Sequence, residues 1–410
     1  MAPAGSRESL AAAVAAGADA VYFGVGALNM RAHSAADFTV NDLREIAAYC
    51  AQHGVKSYLT VNTIIYDGDM AAMREIVDAA KEAGISAVIA SDVAVMQYCV
   101  EKGVSVHLST QLNISNTEAL RFYAQFADVA VLARELSLAQ VAQIHRAAER
   151  EGIRGPSGDP VRIEMFCHGA LCMAVSGKCY MSLHTRGKSA NRGGCLQNCR
   201  REYVAYDKER GTALEVDNGY IMSPKDLKTI GFLDLMVKAG VRVFKIEGRA
   251  RGPEYVRTVV ECYSEALDAV LAGKWSEETG RAWDERLSTV FNRGFWDGWY
   301  QGRTTAEWTD RYGSCATEKK VYVGKCLRYY AKAGVGYFLI HGEGFAQGDR
   351  LLVTGPTTGA VYVTAADMRD EETPVDAATK GMSVTFRVPE KIRENDKLYV
   401  IRQTAREDEF

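Results

Sequence analysis

The chain has no apolar run long enough to cross a bilayer; stretches such as AVIASDVAVM are short and interrupted by charge. It is not disulfide-dense, because ten cysteines in 410 residues do not make a secreted scaffold. It lacks the pattern of a signal peptide. In MAPAGSRESLAAAVAAGADAVYFG, Arg7, Glu8 and Asp19 break the apolar region, which reads as a turn, an amphipathic helix and a strand. A cytoplasmic, reducing setting is therefore expected, in which thiols stay free for metal ligation or chemistry. Excess positive charge is absent too: 49 Lys and Arg stand against 52 Asp and Glu, a formal net charge of -3. Nucleic-acid binding would then depend on a local patch rather than on the sum. No HExxH, GxSxG, CxxC or Gly-rich dinucleotide fingerprint occurs. The common signatures of zinc peptidases, serine hydrolases, paired-cysteine zinc sites and nucleotide-binding open sheets are thus missing.

What is present is a repeat. Through the first 260 residues, helical patterns such as VNDLREIAAYCAQHGV alternate with apolar strands such as KSYLTVN. SPKDLKTIGFLDLMVKAG is the last helix of the series and VRVFKIEG its last strand. Gly17, Gly54, Gly84, Gly103 and Gly240 mark helix-to-strand turns. Seven strands are apparent, and a TIM-type (β/α) barrel wants eight, so the first strand is expected to be short or missing ahead of APAGS. A doubly wound open sheet is the rival. The first domain is expected over 1–302, with a cysteine-rich insertion at 166–203 and a linker over 303–318. A small β-barrel domain follows over 319–410, where short strands alternate with Gly, Pro and Thr turns.

Polar residues collect at strand ends, where barrel chemistry gathers. They include Asn29, Arg31, Asn62, Arg134, Glu135, Glu164, His168, Lys245 and Glu247. In HLSTQLN, alternation puts His107, Ser109 and Gln111 on one strand face, which in a barrel points into the mouth. A satisfied structural network is the alternative for each.

The segment FCHGALCMAVSGKCYMSLHTRGKSANRGGCLQNCRREY holds Cys167, Cys172, Cys179, Cys195 and Cys199. Its uneven spacings suit an iron–sulfur cluster, a compact object ligated by four thiolates from several directions. Glycines give the backbone room to wrap it. A single nucleophilic cysteine with His168 or His184 as base is the lesser option. Cys50, Cys99 and Cys262 lie in helical patterns and read as core. The same segment carries Lys178, Arg186, Lys188, Arg192, Arg200 and Arg201 with no acid among them, a candidate phosphate-facing surface or else a solvated loop.

EMFCHGALCMAVSGKCYMS, NRGGCLQNCRREY, SPKDL and FKIEGRARGPEYV resemble the collagenase-like peptidase family U32, and the likeness covers nearly all of the chain to Gly302. The family includes tRNA uridine 5-hydroxylation proteins, a ribosomal RNA cytidine hydroxylation protein and a ubiquinone-pathway hydroxylase pair. The resemblance implies a 4Fe–4S cluster, with Cys172, Cys179 and Cys195 on the first three ligand positions. Where relatives commonly place a fourth cysteine, this chain has Lys228. The resemblance therefore leaves Cys199, or else Cys167, for the fourth position, or a chain that has lost its cluster.

It further implies hydroxylation of an RNA pyrimidine, foremost the wobble uridine of tRNA, with prephenate as cosubstrate. Arg31, Arg134 and Lys245 are then candidate cations for its carboxylates, with Asn62, Ser109 and Gln111 beside them. His107, Glu135, His168 and Glu247 are candidates for proton transfer or positioning. The basic run, together with the β domain, would engage phosphates of tRNA or ribosomal RNA. Two rivals stand beside this: a metal-assisted peptidase using His107, Glu135, Glu164 and His168, and a non-enzymatic scaffold that pairs with a second family member.

Overall fold

Short apolar strands and the helices that follow them build the first two thirds of the molecule. The computed structural model describes residues 1–32, 38–214 and 219–404. Strand β1 (Ala2–Pro3) pairs parallel with β2 (Ala20–Phe23). The parallel order continues through β3 (Lys56–Val61), β4 (Ala87–Ala90), β5 (Val106–Leu108), β6 (Val129–Val131) and β7 (Arg162–Gly169). Between them run α1 (Arg7–Ala15), α2 (Leu43–Gln52), α3 (Met70–Ala83), α4 (Val93–Lys102), α5 (Thr117–Ala124) and α6 (Leu138–Arg150). Side-chain caps fix where four of these helices start: Ser6, Asp92, Asn116 and Ser137 accept from backbone N–H groups of the first turn. Gly84 and Gly103 end α3 and α4 in the left-handed region, at φ 75° and 67°, where a side chain would be strained.

After β7 come α7 (Met181–Arg186), a hairpin of β8 (Ala205–Asp207) and β9 (Thr212–Leu214), and β10 (Asp226–Lys228). Then follow α8 (Leu233–Lys238), β11 (Val241–Ile246), α9 (Pro253–Leu271), α10 (Glu277–Ser288) and β12 (Phe295–Trp296). β11 lies parallel to β7, which makes eight parallel strands. The remaining edges meet at Met1: its carbonyl accepts from Ile246 N at 3.1 Å and its ammonium donates to Phe244 O at 2.7 Å. No ladder joins β1 to β11 among the described residues.

The expected helix from SPKDL onward is corrected. Asp226–Lys228 is a strand, antiparallel to the end of β7 through Leu227↔Gly169 and Lys228↔His168, and the α-helix begins only at Leu233. The ladder satisfies backbone groups that a helix would otherwise have satisfied internally.

From Glu318 the chain forms an antiparallel sheet with its own core, built around Phe338, Phe386, Leu351 and Val400. Its strands are β13 (Glu318–Tyr330), β14 (Val335–Ile340), β15 (Phe345–Ala346), β16 (Arg350–Gly355), β17 (Gly359–Thr364), β18 (Arg369–Asp370), β19 (Thr373–Pro374), β20 (Ala377–Ala378), β21 (Ser383–Arg387) and β22 (Lys397–Gln403). The main sheet runs β17-β16-β22-β13-β14-β21-β18-β19, and β15 pairs with β20. This domain seats on α1 and α9. Leu352 and Ala360 bury against Ala12, and Lys320 pairs with Glu254 at 2.7 Å. A Cβ on Gly359 would lie 2.7 Å from the Ala12 nitrogen.

Candidate functional site

The alternation of each parallel strand sends every second side chain inward. Ala20 and Tyr22 of β2, Tyr58 of β3, and Ala87 and Ile89 of β4 form a small buried cluster there. Above it opens a cavity of about 230 Å³. Tyr22, Asn62, Ser109, Phe166, Lys245 and Glu247 bring five strands or their C-terminal ends to its walls.

Beneath the cavity lies a buried charged layer. Lys245 Nζ donates to Glu164 Oε1 at 2.9 Å, with both side chains almost wholly out of solvent. His107 Nδ1 is 3.9 Å from Glu164 Oε2, too far to bond, and neither atom has another partner. Burial, reinforced by the Lys245 charge, pushes His107 down to about 3 and keeps it neutral. His107 thus faces inward as its alternation predicts. It sits one layer below the cavity, which corrects its expected place at the mouth. His168 is corrected further. It points to the helix side of β7, among Tyr255, Tyr263 and Phe295, and burial pushes it down to about 3. The register shift between Lys245 and Ile246 accompanies this change of side. Glu135 is exposed and does not line the cavity. Of the four residues offered for a metal-assisted peptidase, His107 and Glu164 are neighbours, and His168 and Glu135 lie away from them.

The remaining small-ligand candidates do meet: Arg31, Asn62, Ser109, Gln111, Arg134 and Lys245 all line the cavity. Arg31 Nη2 donates to Glu247 Oε1 at 2.6 Å, and Tyr22 Oη donates to Glu247 Oε2 at 3.2 Å. Burial alone would raise the Glu247 carboxyl, but the Arg31 charge and hydrogen bonds overcome it and hold it at about 2. Asn62 accepts from Met30 N and donates to Ser109 Oγ at 3.1 Å, and Ser109 in turn bonds Gln111. Arg134 lies 3.9 Å over the Phe166 ring, donates to Ala170 O, and has a buried Nε without a partner.

Sequence reasoning missed three more cations on these walls, Arg249, Arg251 and Arg293. Arg249 donates to Asn29 Oδ1 at 3.0 Å and Thr60 Oγ1 at 2.9 Å, and burial lowers it to about 10. The arginines of EGRARG directly follow Glu247, so two of the three had a legible signal. Among the described residues, seven cationic side chains line the cavity against one carboxylate, Glu247. Such a wall suits an anionic ligand.

Cys172, Cys179, Cys195 and Cys199 stand on the same cavity. Cys172 and Cys195 are exposed, while Cys179 and Cys199 are half-buried. Burial raises the Cys199 thiol; Arg200 offsets part of this, and the Cys172, Cys195 and Cys179 thiols add to the rise. Cys167 lies elsewhere. It is fully buried, its thiol donates to Lys245 O at 3.4 Å, and burial pushes it up to about 12. Lys228 also turns from the cavity, pairing with Asp284 at 2.9 Å. Among the described residues no three His, Cys, Asp or Glu side chains are grouped as a single metal ion requires. Four thiols line one cavity, the number that a larger inorganic core takes as thiolate ligands.

The basic run divides. Arg192 is held by Asp69 and Ile64 O and stacks on Tyr66, and Arg200 ties Leu171 O to Ser223 Oγ and Pro224 O. Lys178, Arg186, Lys188 and Arg201 are exposed, as are His184, Tyr180, Val175, Leu183 and Leu196. No helix among the described residues is long and apolar enough to cross a membrane.

Comparison with known proteins adds family context. The sequence profile of Peptidase family U32 matches residues 5–310. A protein of Porphyromonas gingivalis named "Collagenase" is 60% identical over 97% of this chain and 96% of its own length. The "tRNA hydroxylation protein P1" of Bacillus subtilis is 32% identical over 96% of this chain and 92% of its own. The "23S rRNA 5-hydroxycytidine C2501 synthase" of Escherichia coli is 34% identical over 63% of this chain and 37% of its own.

Proposed function

The chain belongs to peptidase family U32, and from that premise we propose that it hydroxylates an RNA pyrimidine with a 4Fe–4S cluster. The foremost target is the wobble uridine of tRNA, giving 5-hydroxyuridine, with prephenate as the cosubstrate. The observation that carries this reading is the placement of four thiols, Cys172, Cys179, Cys195 and Cys199, on one cation-lined cavity. The relatives named for tRNA and rRNA modification support the RNA substrate. The eight parallel strands, linked at Met1, are read as a TIM-type barrel whose chemistry gathers at the C-terminal strand ends. A cytoplasmic location goes with free thiols and an RNA substrate.

The four cysteines would hold the cluster, which when bound supplies electron transfer. The rest is the work of the chain's own side chains. Arg134, Lys245 and Arg249 present N–H donors to the carboxylates of a small dianion. Asn62, Ser109 and Gln111 offer amide and hydroxyl partners after the C-terminal ends of β3 and β5. Glu247, held at about 2, is a fixed anion that orients Arg31; a carboxyl so far below neutrality is a poor general acid. Lys178, Arg186, Lys188 and Arg201 would meet phosphates, and Tyr180, between two cavity-lining residues, offers a stacking face. A wobble base is partly unstacked already, which lowers the cost of bringing it into the cavity.

The test is anaerobic purification with iron and sulfide counts and an absorption spectrum. About four irons per chain and absorption near 400 nm are expected. Cys199→Ser lowers the iron content and Cys167→Ser retains it. tRNA from a deletion strain is then assayed for loss of hydroxylated uridine by nucleoside mass spectrometry. A colourless, iron-free protein from that preparation sinks the reading.

The name of the 60%-identical relative favours a second reading, a collagenase-like peptidase. It expects cleavage of denatured collagen by a protein without iron, and a chelator-sensitive activity. Copurification of a second family member without either activity would favour a scaffold.

A further inference from the structure

We propose that the outer face of the C-terminal sheet is a second contact surface for RNA, binding a single-stranded stretch away from the cavity. The proposal rests on the RNA reading of the cavity. The inner face is fixed by the second core, where Val323 and Cys326 of β13, Phe338 of β14, Val384 and Phe386 of β21, and Leu398 of β22 are buried. Strand alternation then sends their neighbours outward. β13 carries two register shifts, between Tyr322 and Gly324 and between Cys326 and Arg328. Each inserts a residue and keeps the next side chain in phase with its partner strands.

The register gives the face row by row. Lys397, Lys325, Leu339 and Ser383 lie side by side across β22, β13, β14 and β21. Arg328, Tyr337, Thr385 and Arg369 form the next row, across β13, β14, β21 and β18. Tyr330, Val335 and Arg387 form a third. The first row holds two lysines, the second and third each set a tyrosine beside arginine, and no carboxylate stands in the three rows. Asp367 lies 3.8 Å from Arg387 across an exposed pair, which holds little in water. Tyr322 and Tyr330 are 41% and 44% exposed, although large aromatic side chains normally gain by burial. Arg328 lies 5.4 Å over the Tyr330 ring.

The face is continuous with an interface already formed. Tyr322 meets Tyr399 edge-on at 5.7 Å, and Tyr399 packs on the Leu352–Ala360 patch that seats against Ala12 of α1. The sheet surface therefore begins under the first domain and emerges uncovered at Tyr322. A four-stranded surface of this kind accommodates two or three stacked bases. Exposed rings set among cations serve bases and phosphates together, whereas an acidic protein would use only the cations.

The experiment uses the full chain and a fluorescein-labelled twelve-nucleotide oligouridine, read by anisotropy over a salt series. Arg328→Ala with Tyr330→Ala is expected to weaken binding at least tenfold. It also lowers the magnitude of the salt slope by about 0.7 for the phosphate contact removed. Tyr330→Ala alone weakens binding without changing the slope. Both positions are exposed, and an unchanged melting temperature confirms intact folding. Affinity within twofold of the parent in the double variant overturns the proposal, as does failure of the parent to bind the oligonucleotide. Competition by polyglutamate as effective as by RNA of equal charge overturns it in favour of an acidic protein partner. Loss of the hydroxylation reading leaves this result untouched, because binding is measured without cosubstrate or turnover. A protein that modifies tRNA yet ignores the double variant would fail only here.

Discussion

Two buried histidines govern how single residues answer acid. His107 and His168 are both held near 3 by burial, against an ordinary value of about 6.5. Their folded values are depressed, so the unfolded chain binds the protons first as pH falls. Their packing is fully compatible with folding above about pH 6.5, and stability declines between there and about pH 3. Each histidine adds a slope of up to about 1.4 kcal/mol per pH unit in that window. His168→Phe, which keeps an aromatic ring among Tyr255, Tyr263 and Phe295, is expected to flatten the slope by up to one proton's worth. Urea-unfolding midpoints at pH 7 and pH 5 measure it; an unchanged difference between parent and variant removes His168 from the account. At this scale the sequence was readable in part. Alternation in HLSTQLN told which way His107 faces. It did not tell how deep, because depth depends on how many strand residues lie between the side chain and the rim.

The cysteine-bearing segment between β7 and β10 has little regular structure of its own and is held by contacts along its length. Arg200 binds the carbonyls of Leu171 and Pro224, and so fastens the segment to the approach to β10. Gly193, at φ 78°, presses against the loop after β2; a Cβ there would lie 2.7 Å from Asn29 O. Gly193→Ala is expected to displace Cys195 and lower the iron bound per chain at least twofold, while far-ultraviolet circular dichroism stays within a few per cent of the parent. Full iron content in that variant would show that the segment tolerates the shift. The density of thiols, the cations and the βα repeat were legible, because each is a local pattern of residue type and spacing. β10 was not. Asp226–Lys228 has no strand signature of its own, and it extends only because the end of β7 offers it unpaired backbone groups. Arg293 escaped for a related reason: it reaches the cavity from the turn before β12, a neighbour set by tertiary pairing with β10.

The whole molecule is two cores joined through α1 and α9. Gly359 sits at a close approach of the two, at φ 72°, with the Ala12 nitrogen 2.7 Å from where its Cβ would be. Gly359→Val is expected to part the domains, replacing one calorimetric transition by two and lowering the first by several degrees. A single transition at the parent temperature would mean that the Lys320–Glu254 and Arg257–Glu390 pairs suffice to hold them. The walls of the cavity also come from distant parts of the chain: the thiols from residues 172–199, Lys245 from β11, and Arg249 and Arg251 from the loop after it. On the ribosome these parts emerge in that order. At about 5–20 residues per second, the sulfurs precede the last of those cations by roughly 3–10 s. During that interval the nascent chain carries four thiols with no finished cavity around them, open to oxidants and stray metals; on the proposed cluster reading, iron would be delivered only after β11 and the loop behind it have been translated.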